Sequence, residues 1–131
     1  MRYPTEDIPD KDLLFRRIPQ IFIRVNISPS AFSFNEDGCS VNWEKYSDPE
    51  RTRVEYARHL PNYYSVGALK AGDVRGIDLK VKHNPLPNER EKTVDNRTHC
   101  LITLLPEIRK SGKILKYQAL LANLCSLIPL D

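Results

Sequence analysis

The chain has 131 residues, 40% of them apolar and 28% charged, with a net charge of +3, which fits one globular domain with a modest core. No run approaches the roughly 18–20 apolar residues that span a bilayer. The balance also differs from that of a disordered chain, and from a dedicated nucleic-acid binder, which concentrates more positive charge on one face.

Residues 1–11 carry Pro4, Pro9 and several acids but no apolar pattern. They are expected to form a flexible N-terminal tail, or an arm that docks elsewhere, ahead of a single α+β domain over 12–131. The start lacks the apolar stretch of a secretory signal, so the expected address is the cytoplasm. From Gln20 to Ile27 the residues Ile21, Ile23, Val25 and Ile27 alternate with Phe22, Arg24 and Asn26. That period of two predicts a half-buried strand, bounded by Pro19 and by Ser28-Pro29-Ser30.

Ala31–Phe34 and Cys39–Trp43 flank Asn35-Glu36-Asp37-Gly38, a hairpin signal because glycine reaches positive φ at low cost. Asp48-Pro49-Glu50 predicts a helix start, with Asp48 as cap and Pro49 at the first helical position; Val54, Ala57 and Leu60 form its apolar stripe before Pro61. Tyr63–Leu69 reads as a strand or a short helix. Ile77, Leu79 and Val81 alternate with Asp78, Lys80 and Lys82 as another strand. Residues 84–96 read as a long loop. Thr98–Leu105 is apolar and β-prone and is expected to be the central strand. Gly112–Leu127 predicts the last helix, its stripe formed by Ile114, Tyr117, Leu121, Leu124 and Cys125. Strands and helices do not alternate regularly. The expected fold is therefore a small, largely antiparallel sheet of four to five strands with two helices, the C-terminal one packed on the sheet.

The chain has no phosphate-binding glycine loop, dinucleotide fingerprint, nucleophile elbow or zinc-hydrolase motif. Cys39, Cys100 and Cys125 are odd in number and widely spaced, which argues against a disulfide framework; Cys100 and Cys125 read as buried thiols. Two constellations remain. The first is Lys80, Lys82, His83 and Asn84 with Arg97, His99 and Cys100. If the two strands pair, His83 and His99 could meet. A histidine pair flanked by cations suits proton transfer on a phosphodiester. The plain structural account is that both are solvated strand ends. A metal site fits poorly, because His99 and Cys100 are neighbours on a strand and point to opposite faces. His59 is explained by the C-terminal dipole of its helix.

The second constellation is Arg16 and Arg17 with Ser28, Ser30 and Ser40, a set able to hold a phosphate or carboxylate. The structural account makes Ser28 and Ser30 ordinary turn residues. Lys110, Lys113 and Lys116 read as a solvated helix face rather than a nucleic-acid stripe. Tyr63-Tyr64 is the only aromatic pair that suggests single-strand stacking.

Arg16-Arg17-Ile18-Pro19, Ser28-Pro29-Ser30-Ala31-Phe32, Asp37-Gly38-Cys39-Ser40-Val41, Gly72-Asp73-Val74-Arg75, His83-Asn84-Pro85-Leu86-Pro87 and Asn96-Arg97-Thr98-His99 occur in this order. The series resembles a group of small bacterial proteins without an assigned activity, over roughly residues 16–104. Asn84 stands where an Asp is more usual in that group, and Arg97-Thr98 replaces Pro-Ala. The resemblance implies a bacterial cytosolic protein and points to Arg75 and His99.

Two functional readings follow. The first is a non-catalytic interaction or regulatory protein, a small subunit of a bacterial multi-gene system with a protein partner. The second is a small enzyme acting on a phosphodiester or nucleotide through His83 and His99, with Arg75 or Lys82 on the phosphate. Nucleic-acid binding without catalysis is a weaker third. No cofactor or metal and no membrane contact is expected. Arg16, Arg17, Arg75 and Lys82 are the candidate binding residues.

Overall fold

The computed structural model describes residues 3–55, 61–86 and 96–129. Six strands, β1 (Leu13–Pro19), β2 (Cys39–Trp43), β3 (Tyr64–Lys70), β4 (Lys80–His83), β5 (His99–Thr103) and β6 (Ser126–Leu127), form one sheet in the order β4-β5-β2-β1-β3-β6. Every pairing is antiparallel. Four helices accompany it among the described residues: α1 (Pro49–Val54), α2 (Ala71–Gly76), α3 (Pro106–Lys110) and α4 (Ile114–Leu124). The α+β class and antiparallel sheet agree with the sequence. The counts are corrected upward, from four or five strands to six and from two helices to four.

The strand expected at 20–27 is not there. Its place is taken by β1, immediately upstream, which pairs along its whole length with β3, from Leu13↔Lys70 to Pro19↔Tyr64. Beyond Pro19 that partner runs out. Residues Gln20–Phe22 make a single 3-10 turn, and Ile23 and Ile27 bridge each other instead of a neighbouring strand. Side chains meant for a core are therefore left outside: Ile21 is 68% exposed and Val25 96%. Alternation alone cannot build a strand when no partner edge is available.

Only the second arm of the expected hairpin is a strand. Pro29–Ala31 is a 3-10 turn whose Ser28 hydroxyl accepts from the Ser30 amide. The turn before β2 follows the Asp-Gly signal: Asn35 Oδ1 accepts from the Asp37 and Gly38 amides, and Gly38 has φ +133°. A Cβ there would sit 2.6 Å from the Ile102 carbonyl oxygen, so glycine is required twice over. Helix α1 starts as the sequence indicates, with the Asp48 carboxylate accepting from the Arg51 amide at 2.8 Å and Pro49 in the first turn. Such a cap stabilises by about 1 kcal/mol. That helix ends earlier than expected, at Val54, where Glu55 turns extended; residues 56–60 of the expected helix, His59 included, lie outside the described residues, as do residues 87–95 of the expected loop. β5 is next to the edge; the centre of the sheet is β2 with β1, because the strand missed by pattern reading inserts there. The last helix ends at Leu124, and Ser126–Leu127 adds a sixth strand to β3.

Register assigns the two faces. Leu14 faces Trp43 and Leu69, Cys39 faces Ile102, and Val41 faces Cys100, which faces His83. On this first face the sheet residues join Phe32, Val74, Leu79, and Tyr117 and Leu121 of α4, in the main apolar core. Helix α4 contributes these two residues to the core while contacting the Pro29–Ala31 turn and α2. The second face carries Phe15, Asn42 and His99 in one row, with Arg17, Ser40, Val66 and Tyr64 around it. Helix α1 contacts β1 and β3, burying Thr52.

The segment read as a flexible tail packs on the domain over residues 3–11. Ile8 is buried in the main core, the Gly72 amide donates to the Asp10 carbonyl at 2.8 Å, and Arg75 pairs with Asp10 at 2.6 Å. Among the described residues no helix is long and apolar enough to cross a membrane.

Candidate functional site

The two histidines do not share a site. β4 and β5 do pair, as the catalytic reading required, but His83 falls opposite Cys100 and the Asn84 amide bonds the His99 carbonyl. A shift of one residue in an antiparallel pair reverses the face. His83 therefore points into the core and His99 toward the second face.

His83 is 5% exposed. Its Nδ1 accepts from the Glu6 amide at 3.0 Å, and its Nε2–H donates to the Arg97 carbonyl at 2.7 Å. An amide can only donate and a carbonyl can only accept, so the ring is the neutral Nε2–H tautomer with both nitrogens engaged. Trp43 meets it edge-on at 5.1 Å between ring centres and Tyr46 stacks at 6.1 Å. The Glu6 carboxylate binds Lys45 at 2.5 Å and the Tyr46 hydroxyl, with Arg97 at 3.8 Å. Those bonds, from Lys45 first and Tyr46 second, hold the Glu6 carboxyl below the usual range. His83 is thus the post to which the N-terminal arm is tied. Arg75 is committed to Asp10, and Lys82 is exposed on the outer strand beside the arm.

The second face holds a cleft of about 660 Å³ lined by Arg17, Ser40, Asn42, Thr52, Tyr64 and His99, among others. β1, β2 and β5 supply most of these side chains by strict alternation, and α1 supplies Thr52. Arg17 Nη1 donates to the Glu55 carbonyl at 2.7 Å and the Thr52 carbonyl at 3.2 Å, and its guanidinium lies 5.1 Å from the Tyr64 ring centre. Among the described residues no carboxylate pairs with it. Burial lowers its pKa, partly offset by Tyr64. Asn42 Nδ2 donates to the Thr52 hydroxyl at 3.2 Å.

His99 Nδ1 lies 2.9 Å from the Asn84 carbonyl and 3.4 Å from the Asn84 side-chain nitrogen. The shorter contact is to an atom that can only accept, so Nδ1 carries the proton. Nε2 is then an acceptor, and the Ser40 hydroxyl donates to it at 3.1 Å. Burial holds the His99 pKa below its ordinary value, with the Asn84 hydrogen bond opposing.

Arg16 borders the cleft, but its guanidinium is already engaged. It lies on the first face, where Nε donates to the Ala31 carbonyl at 3.0 Å and Nη1 to the Ser40 carbonyl at 2.7 Å, fixing the backbone of β2 beneath the cleft. Ser28 caps a turn, and Ser40 is the one serine of that constellation that the cleft uses. Asn42 and Thr52 were invisible to motif reading, and Tyr64 was read only as half of an aromatic pair; the register of β1 with β2 and β3 is the signal that brings Asn42 and Tyr64 to Arg17. Burial pushes the Cys100 and Cys125 thiols up to about 12 and raises Cys39 as well, so they stay protonated and unreactive at neutral pH. No group of three or more His, Cys, Asp or Glu among the described residues is arranged around a metal position. Comparisons with family models, curated proteins and solved structures returned no match.

Proposed function

We propose that this protein is a binding module whose cleft takes an anionic group, a carboxylate or phosphate, presented by a partner protein, and that it serves as a small interaction or regulatory subunit. The observation that carries this reading is Arg17: a half-buried guanidinium on an open sheet face, held by two neutral carbonyls and one ring and in no ion pair with a described carboxylate, the Glu55 carboxylate of the same cleft being bonded to Arg51. A cation so desolvated gains from an anion; a charge-assisted hydrogen bond contributes about 1.5–3 kcal/mol. Ser40, Asn42 and His99 line the same cleft and supply the polar selectivity a binding site needs. The bacterial setting rests on the sequence resemblance alone, and the place in a multi-gene system on small size and the absence of catalytic motifs from the sequence. Paired acid–base catalysis by His83 and His99 draws no support from the geometry, since their rings occupy opposite faces.

Calorimetric titration with inorganic phosphate and with a peptide ending in a free carboxylate tests the proposal. Saturable binding in the millimolar range or tighter, lost in Arg17→Gln, is expected. Equal binding by Arg17→Gln would overturn it. Binding to single-stranded nucleic acid with a steep loss of affinity in salt, and none to the peptide, would replace the protein partner with a nucleic acid.

A further inference from the structure

The Ser40 hydroxyl donates to His99 Nε2 at 3.1 Å, and the opposite ring nitrogen is fixed by the Asn84 carbonyl at 2.9 Å. Nucleophile, base and orienting acceptor thus form one line, each in the polarity that activates a serine. Among the described residues no other serine is hydrogen-bonded to a histidine. Ser33 bonds Arg16, Ser47 bonds Thr52 and the Asp48 carbonyl, and Ser111 bonds the Ile108 carbonyl. Both members of the pair line the cleft, so a reagent can reach them.

We propose that Ser40 is a nucleophile toward carboxylic esters, with His99 as its general base. The hydroxyl oxygen attacks the ester carbonyl carbon while its proton passes to His99 Nε2. The bond to the leaving alcohol breaks, and the alcohol oxygen takes that proton from His99. The acyl group is left on Ser40 Oγ. Water then repeats the sequence, releasing a carboxylic acid and restoring the hydroxyl. The Asn84 carbonyl stabilises the transient imidazolium by accepting from Nδ1–H. Arg17, on the same face of the neighbouring strand, offsets negative charge developing on the carbonyl oxygen. Burial lowers the His99 pKa from its ordinary value, which favours the neutral, proton-accepting ring.

This step shares the cleft with the anion-binding reading but does not depend on it; phosphate titration reports on Arg17 and covalent labelling on Ser40, so either can fail alone. The test uses an alkyl fluorophosphonate. Its phosphorus bonds Ser40 Oγ, fluoride leaves, and His99 takes the proton. Intact-mass and peptide mapping should find one adduct on Ser40. It should be absent in Ser40→Ala and slower by about 100-fold or more in His99→Gln, as loss of a general base implies. Thermal melts of both variants establish that they fold; p-nitrophenyl acetate hydrolysis, present in the wild type, should fall in the variants in parallel. An unlabelled Ser40, or labelling at an unchanged rate in folded His99→Gln, overturns the proposal.

Discussion

His83 and His99 lie on opposite faces of one sheet, because Cys100 faces His83 while the row Phe15–Asn42 faces His99. One histidine is a structural tie in the core and the other belongs to a cleft. The same residue type serves two purposes, separated by a single step of strand register.

The structural tie predicts a stability effect. His83→Ala removes a ring packed on Trp43 and Tyr46 and leaves the Glu6 amide and the Arg97 carbonyl without their partner. The loss expected is about 2–4 kcal/mol, from the cavity and the orphaned polar groups. Urea unfolding measures it. Hydrogen exchange should show residues 5–8 losing protection before the rest of the domain.

Docking of the arm depends on pH through Glu6. Its folded pKa lies below the ordinary value, so the stabilisation is present above the ordinary carboxylate range and is lost as pH falls through the folded value. Amide exchange of Thr5 to Ile8 at neutral pH and near pH 3 should reveal release of the arm. Glu6→Gln should show the weakened state at neutral pH already.

His99 predicts a second, milder pH effect. Burial disfavours its charged form, so the unfolded chain binds the proton more readily. Stability is complete above the ordinary histidine pKa of about 6.5 and declines as pH falls below it. The slope of unfolding free energy between pH 7 and pH 5 should be reduced in His99→Gln.

Gly67 packs against the C-terminal segment. A Cβ at this position would collide with Cys125 Sγ and lie 3.0 Å from Ile18 Cδ1. Gly67→Ala should destabilise by roughly 1–3 kcal/mol as an overpacking change. Cys125→Ala should recover part of that loss in the double variant, a coupling that a double-mutant cycle reads directly.

Much of the sheet is legible in the sequence. His99–Thr103 and Cys39–Trp43 carry the alternation that their burial follows, and Asp48-Pro49 marks a helix start by local hydrogen bonding alone. β1 is hidden because Arg16 interrupts its core-facing row of Leu14 and Ile18; the carbonyls of Ala31 and Ser40 and the Ser33 hydroxyl, distant in sequence, make that arginine tolerable. The clean alternation of 20–27 misleads for the converse reason, that no edge is there to receive it. The cleft follows the same logic. Arg17, Ser40 and His99 are each visible as chemically capable residues. Their meeting depends on the order β5-β2-β1, which is a property of the whole sheet.

Amide chemical-shift mapping during a phosphate titration reports on the cleft itself. Anion binding at Arg17 should give saturable shifts confined to Arg17, Ser40, Asn42, Thr52 and His99, which disappear in Arg17→Gln. Shifts centred on Arg75 and Lys82 beside the arm, or the same shifts in Arg17→Gln, would contradict it.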